Sequence, residues 1–472
     1  MGSSDLVSEL RSALTDVEVV TPQSPNYRKS IERWSDASVK EAAIVVYPTT
    51  AAAVSTTIKL ATANAMPLVV SGGQHSTSGD SSIANGLVID LFKMRDVGVD
   101  AAARTITAGG GCTWKDVDEA GAAHGLATVG GTVNHTGIGG LTLGGGYGFL
   151  SGLYGLTVDN LVAVEMVLAD GAIVTASETE NPDLFWAARG AGASFGVATR
   201  FTYRAHEVPR GVFMGMLMFP PSCAAALVDA ANRATCADSD GRTVVHAALM
   251  AAPPGGLPGL DAGETVMVGA VVFHCGPEAQ AREVLAPLLG LGALVDTTAE
   301  MPYSAVNGVL AAAAPRGGRK SIKGASFPQP LATDKFERTL KEFRAFVKEV
   351  PAAGKSLVSF ENMKTEKICE PAVGAMAMPH RSGRLQCAIM CAWEGEEHDE
   401  AVRMWGRRIA AVVNEPGKAD EGRENFEYVN YDGNGSGPEI VYGPNYEQLS
   451  KLKAKYDPTN VFKKNVQIKP AA

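Results

Sequence analysis

His75 sits in a loop of small residues, Ser71-Gly72-Gly73-Gln74-His75-Ser76, between the β-rich runs Leu68 to Val70 and Leu87 to Leu91. Glycines where two strands meet let backbone N–H groups approach a phosphate closely. A histidine in such a loop is placed to touch whatever the loop cradles; the other reading is a glycine turn with a surface histidine. A second region, Val129 to Gly148, carries glycine at 130, 131, 137, 139, 140, 144, 145, 146 and 148. That density suits neither a helix interior nor a strand interior. An extended glycine stretch persists where backbone must lie against a flat or anionic ligand. A flexible linker would be polar, whereas Val129, Val133, Ile138, Leu141 and Leu143 are interleaved here. Near the C-terminal end, Tyr428 and Tyr431 supply two phenols. Oxidising a hydroxyl needs a group that takes the O–H proton as hydride leaves the carbon. A tyrosine with an ordinary pKa of about 10 is a poor base unless a nearby cation or donor stabilises its phenolate. Tyrosines on a strand can equally serve packing alone.

The elements around these residues follow from pattern. Residues 43–48 read as a buried strand, 50–64 as a helix and 68–70 as a second strand, a β-α-β opening. A short strand at 105–108 leads through Gly109-Gly110-Gly111 into a helical stretch, Trp114 to His124. Residues 161–176 read as a hairpin turned at Asp170-Gly171, and 182–189 as a helix with an early proline. Beyond about 206, helical segments (223–235, 276–288, 334–350, 398–413) alternate with β-like ones (245–251, 266–274, 355–362, 385–393). Strands that are half polar predict helices covering one face of an antiparallel sheet.

Composition excludes several classes. The 472 residues are 46% hydrophobic and 20% charged, enough for two or three packed units. A net charge of −9 leaves no basic footprint for nucleic acid. No uncharged apolar run is long enough to span a membrane. The N-terminal segment lacks a secretory apolar core, and Leu6 stands where a myristoylation signal wants Ser or Thr. An intracellular protein is expected, with a trimmed secreted chain as the alternative. The cysteines at 112, 223, 236, 275, 369, 387 and 391 form no CxxC pair, so they read as packed thiols in a reducing compartment. His124, His206, His246, His274 and His398 have no ligand spacing, and no metal site is expected. Gly190-Ala-Gly192-Ala-Ser-Phe-Gly196 has one residue too many for a dinucleotide fingerprint, and Gly354-Lys355-Ser356 has Glu349 where a phosphate loop needs glycine.

The loop at Ser71–Ser76 resembles the flavin-attachment loop of the covalent FAD-linked oxidases, the vanillyl-alcohol-oxidase and berberine-bridge-enzyme superfamily. Thr136 to Gly148 is similar to that family's TGxGGLxLGGGxG, and Tyr154 to Asn160 to its continuation. Arg189-Gly190 to Gly196-Val197 resembles its RGxGxxFGV. Tyr428-Val429-Asn430-Tyr431-Asp432 resembles its YxNYxD, and Tyr442 to Phe462 its closing segment, with Gln448 in place of the usual Arg. The likeness covers about 25–205 and 420–465.

The resemblance implies an α+β fold. A two-part PCMH-type FAD-binding domain is expected from 1–206 and 415–472, with an inserted substrate domain, 207–414, formed by an antiparallel sheet backed by helices. It implies FAD bonded through its 8α carbon to His75. Many relatives add a cysteinyl link eleven residues before GGG; here that position is Val133, and Cys112 lies on another element, so a single link is expected and a large oligosaccharide substrate is disfavoured. Cofactor contacts are expected from Ser71, Gly72, Gly73, Gln74, His75, Ser76 and Gly79, and from Val129, Gly130, Thr136, Gly137, Gly139, Gly140, Gly144, Gly146, Tyr147 and Gly148. Asp159, Asn160, Gly192, Gly196, Val197 and Asn445 complete that set. Tyr431, ahead of Tyr428, is the expected proton acceptor, with Glu361 a candidate partner acid and His135 a second histidine near the flavin. His380-Arg381 looks like the family's HR pair and reads as structural.

The implied activity is hydride transfer from a small alcohol, sugar or secondary-metabolite C–H to flavin N5, with dioxygen reduced to hydrogen peroxide. The alternatives are a dehydrogenase passing electrons to a quinone or protein, a cyclic-amine oxidase, or a non-enzymatic flavin carrier, against which the intact tyrosines count. Expected partners are a small-molecule substrate and dioxygen, with the chain a monomer or small homo-oligomer.

Overall fold

Thr50 starts the first long helix: its side-chain oxygen accepts the Ala53 N–H and caps Ala51–Ala63. The strand before it, Ile44–Tyr47, and the strand after it, Leu68–Ser71, both pair in parallel with Leu87–Asp90, which lies between them. All four residues of Leu87–Asp90 are buried, as a central parallel strand covered on both faces must be. Glu18–Val20 closes the other edge antiparallel to Ile44–Tyr47. The computed structural model describes residues 3–417, 422, 424–431, 436–464 and 466–472; Asp432 lies outside them.

A second, antiparallel sheet runs in the order Val97–Asp100, Thr105–Gly109, Val197–Arg204, Leu161–Val167 and Ile173–Ser177. The expected hairpin is its outer pair, turned through Gly171 at φ +81°. Helix Pro182–Ala191 has its proline in the first turn and breaks at Arg189 and Gly190, where Gly190 takes φ +130°. The chain's end returns to this half. Val441, Tyr442, Leu449 and Leu452 share a core with Ile106 and Trp114, and Lys455 and Tyr456 both donate to Asp183. The buried Lys453 ammonium donates to Asp457, Ser194 O and Phe462 O, so this charge is fully partnered.

The third sheet has eight strands, every pairing antiparallel. Its path is Val295–Asp296, Val212–Phe219, Val266–His274, Thr243–Ala251, Leu357–Met363, Arg384–Trp393 and Arg319–Pro328, with Ala299–Met301 beside Val212–Phe219. Helices Ala224–Ala237, Thr333–Glu349 and Asp399–Asn414 cover one face. Cys387 and Cys391 point to that covered side: a Cβ built on Gly406 of the last helix would lie 3.0 Å from Cys391 Sγ. The α+β class and the helix-backed antiparallel sheet are as expected from the pattern and the resemblance.

Several expectations fail locally. The strands are not half polar: most of Arg384–Trp393 and Thr243–Ala251 is buried on both faces, because the glycine-rich half packs against the sheet's inner end. Residues 276–288 form two helices, Glu278–Val284 and Ala286–Leu289, with Pro287 at the start of the second. The region from Val129 to Gly148 is not extended throughout, since Ile138–Leu143 forms a short helix containing Gly139 and Gly140. Tyr428 and Tyr431 do not lie on a strand; Val429–Tyr431 is a single 3₁₀ turn.

Candidate active site

The loop after strand Leu68–Ser71 is held in an unusual shape. Gln74 takes φ +65°, a conformation costly for a residue with a side chain. Three contacts maintain it. Its carbonyl accepts Trp34 N at 3.0 Å, its amide nitrogen donates to Asp90 Oδ2 at 3.1 Å, and Arg316 Nη1 donates to its Oε1 at 2.9 Å. Arg316 also donates to Gly73 O. The next residue, His75, is thereby fixed between two rings, Trp34 stacked at 4.9 Å and His135 at 4.8 Å. Its Nε2 lies 2.7 Å from His135 Nδ1. Burial, then the neighbouring His135 and Arg316, holds the His75 imidazole well below its ordinary pKa. It is therefore neutral near pH 7.

The second glycine region lies back to back with this loop. A Cβ on Gly73 would stand 2.1 Å from Gly137 N, so the two backbones touch and both positions need glycine. A cavity lies along the pair, lined by Gly72, Gly73, His75, Thr136, Gly139 and Gly140. Gly140 borders it in a revealing way: an added Cβ there would meet no protein atom within 4 Å and would enter the cavity itself. A flat ligand lying on that backbone fits the absence of a side chain. Lys464, at the same wall, supplies a cation for an anionic group. These features fit a dinucleotide such as FAD.

Gln74, Ser76, Gly137, Tyr147, Gly196, Tyr428 and Tyr431 also reach the cavity. Other expected contacts do not line it. Ser71 and Gly79 are buried in the same loop. A Cβ on Gly144 would strike Asn430, on Gly146 Thr157, on Gly192 Leu143, and on Gly148 the Gly130 carbonyl. Close packing explains those glycines, and Val129, Gly130 and Val197 are buried behind them. Asp159 receives both terminal nitrogens of Arg381, at 2.9 and 2.7 Å, a bidentate pair joining the first half to the third sheet. Asn160 donates to the carbonyls of Tyr154 and Leu156, and Asn445 to those of Val373 and Met376. Val133 lines the cavity, whereas Cys112 is buried elsewhere, where burial pushes its thiol up to about 12. Trp34, Ile322 and Met390 are wall residues that the sequence reading missed. Trp34 stands alone without a motif, and the other two belong to strands whose open face only the register defines.

Also at the cavity wall, the turn Val429–Tyr431 meets the third sheet. Tyr428 is almost fully buried, and its hydroxyl accepts Gly146 N–H at 2.9 Å and the Asn430 amide at 2.8 Å. Tyr431 packs on Gly324, where a Cβ would come within 2.8 Å of its own, and donates its hydroxyl to Glu361 Oε1 at 2.9 Å. Burial pushes Glu361 up to about 7, partly offset by that hydrogen bond. Burial and then the Glu361 charge hold Tyr431 well above the ordinary phenol range. The carboxylate is therefore the member of the pair that can be ionised near neutrality, while the phenol keeps its proton. Among the described residues no group of His, Cys, Asp and Glu is arranged to hold a metal, and no helix is long and apolar enough to cross a membrane.

Known proteins resemble this chain in sequence and fold. The family model "FAD binding domain" covers residues 42–177, and "Berberine and berberine like" covers 427–469. An FAD-linked oxidoreductase of Aspergillus terreus is 35% identical over 98% of this chain and 96% of its own length. The (R)-6-hydroxynicotine oxidase of Paenarthrobacter nicotinovorans is 28% identical over 96% of each chain. The crystal structure of 6-hydroxy-D-nicotine oxidase from Arthrobacter nicotinovorans superposes with a TM-score of 0.81 at 25% identity, covering 97% of this chain and 98% of that one.

Proposed function

The chain belongs to the berberine-bridge-enzyme-like FAD-linked oxidoreductases, and from that premise we propose that it is an oxidase in which Tyr431 and Glu361 together remove the substrate's proton. The observation that carries this reading is the 2.9 Å hydrogen bond from Tyr431 to Glu361 at the wall of the glycine-lined cavity. The chemistry that bound FAD supplies is hydride acceptance and, with dioxygen, release of peroxide. The Tyr431 oxygen accepts the proton of a substrate O–H or N–H while its own proton passes to Glu361 Oε1. A buried carboxylate of pKa about 7 suits that step near neutrality. The hydrogen bonds Tyr428 accepts from Gly146 and Asn430 commit its oxygen to holding the turn, so it shapes the site and leaves the proton to Tyr431.

The substrate is a small molecule with a C–H beside an ionisable O–H or N–H. The likeness to 6-hydroxynicotine oxidase favours a second reading, an amine, which the same pair would serve by taking the nitrogen's proton. Anaerobic stopped-flow with alcohol and amine panels, followed at the flavin absorbance, separates the two; reduction by neither would remove both readings.

His75 is the proposed attachment point, through one bond to the flavin 8α carbon. Its neutral ring, pinned by Trp34 and His135, is pre-positioned for that bond. Acid-precipitated protein is expected to stay yellow, and a proteolytic peptide containing His75 to carry the FAD mass. His75→Ala should give a colourless pellet while the native variant still binds FAD. A yellow pellet from His75→Ala would place the bond elsewhere.

A further inference from the structure

The third sheet has one face covered by helices, and the other is covered at its inner end and partly open at its outer end. Read through the pairing register, its side chains fall into three rows that cross the strands. The outer row is large and apolar: Ile322, Met390, Leu357, Met250 and Met267. The middle row is small: Gly324, Ala388, Ser359, Ala248 and Gly269. The inner row holds Glu361 opposite His246, with Gln386 one step beyond the pair Phe360–Cys387. A small row between two taller ones is a trough. Met250 closes it at Gly269, where an added Cβ would lie 3.1 Å from Met250 Cε, and with strands about 4.8 Å apart the remaining four span roughly 14 Å.

Exposure is greatest over the middle strands, and Met267, Ala248, Gly269 and Gly324 toward the two ends are buried. Ile322, Met390, Leu357 and Met250 in the outer row and Ala388 and Ser359 in the middle row are all half-exposed. The inner row is buried, His246 beneath the stacked ring of Phe149 and Glu361 beneath Tyr431. Tyr431 stands on Gly324 at one end of the trough, and Ile322 and Met390 belong to the cavity wall. The trough therefore opens into the candidate active site along the edge where the proton acceptor lies.

Its chemistry is one-sided. The outer and middle rows carry no charged side chain and one polar one, Ser359. Each hydroxyl of a sugar taken out of water needs a hydrogen-bond partner, and this bed has almost none. Methionine adapts to flat, polarisable surfaces and makes favourable sulfur–aromatic contacts.

We infer that the trough is the substrate's bed and takes a flat, uncharged, largely apolar ring system bearing one ionisable O–H or N–H, not a saccharide. This rests on the Tyr431–Glu361 reading, which fixes the end at which the ionisable group sits.

The test is equilibrium binding to the holoenzyme, followed by perturbation of the flavin absorbance. The probes are 2-naphthol, which has the ring and the O–H but no hydride to give, and cellobiose. 2-Naphthol is expected to bind at least about tenfold tighter than cellobiose, a difference of roughly 1.4 kcal/mol. Ala388→Leu fills the trough floor and should weaken 2-naphthol by about tenfold or more. Met390→Ala removes part of the wall and should weaken it severalfold, with cellobiose unmoved; it decides the matter if the leucine variant loses flavin. Cellobiose binding as tightly as 2-naphthol, binding of neither, or an unchanged affinity in the variants would overturn the inference. No turnover is read, so this outcome is separate from that of Tyr431→Phe, whose reduction rate tests the proton step alone.

Discussion

Two carboxyl groups in this molecule are buried and shifted in the same direction, Glu361 up to about 7 and Asp118 up to about 8. In both, burial is the largest cause. Their surroundings differ. Asp118 lies in helix Trp114–Ala122 and accepts one hydrogen bond, from Asn307 Nδ2 at 2.7 Å. The Asn307 carbonyl in turn accepts Asn134 N–H, so the pair braces from behind a loop whose Val133 and Thr136 line the cavity, without itself reaching it. Glu361 accepts from a phenol that is itself part of that wall. A raised pKa marks burial; only a path for a proton to reach the ligand space marks a site. If this contrast is right, the two carboxyls should respond oppositely to the same experiments.

The largest effect is expected at Tyr431. Tyr431→Phe should slow flavin reduction by roughly 10²–10⁴-fold, the usual contribution of a positioned acid–base group. FAD content and melting temperature should hold, since one hydroxyl is lost from a ring that keeps its packing on Tyr428 and Gly324. Anaerobic stopped-flow reads the step directly. A rate unchanged in this variant, and slowed instead in Asp118→Asn, would reverse the contrast.

The sequence carries one carboxyl as plainly as the other, and this limits what could be read from it. The glycine loop around His75 and the tyrosines at 428 and 431 are legible because their spacing is local. Many of the strands and helices from 43 to 191 are legible for the same reason, since each is a short segment with its own period and turn residues, but Val97–Asp100 and the central strand Val197–Arg204 were not. The strand Val212–Phe219 was not, because an almost continuous apolar run such as VFMGMLMF has no period to read. Nor was Arg319–Pro328, where charges alternate with small residues. The trough, the distance from Tyr431 to Glu361 and the stacking of Trp34 on His75 all depend on residues far apart in the chain, and only the pairing register joins them. Glycines are ambiguous in the other direction: an added Cβ at Gly140 would meet no protein atom and at Gly146 would strike Thr157, and the sequence does not distinguish the two settings.

A smaller effect, in pH dependence, sharpens the contrast. Glu361 must be ionised to receive the Tyr431 proton. Below its pKa of about 7 the reduction rate should fall about tenfold per pH unit, and above it the rate should be level. Glu361→Gln should abolish this limb along with most of the rate. Tyr431→Phe should move it to higher pH, because the hydrogen bond that opposes the effect of burial is gone. A limb that stays in place in both variants belongs to another group.

The smallest effect on catalysis is expected at Asp118, and it should appear in stability. Its folded pKa, about 8, stands above the ordinary 3.8, so between those values the unfolded chain releases a proton that the folded chain keeps. The folded state binds more protons there, and stability falls as pH rises, by at most about 1.4 kcal/mol per unit from this group. Below the ordinary value both states are protonated and the penalty vanishes. Asp118→Asn removes the titration and leaves an amide of the same shape beside Asn307. Its melting temperature relative to the natural chain should therefore improve from pH 5 to pH 8, with the flavin-reduction rate and its pH limb unchanged. A variant whose advantage is flat across that range would mean that Asp118 is ionised in the fold and paired by Asn307 alone. A variant that slows reduction would bring this second carboxyl into the proton path and erase the distinction between the two regions.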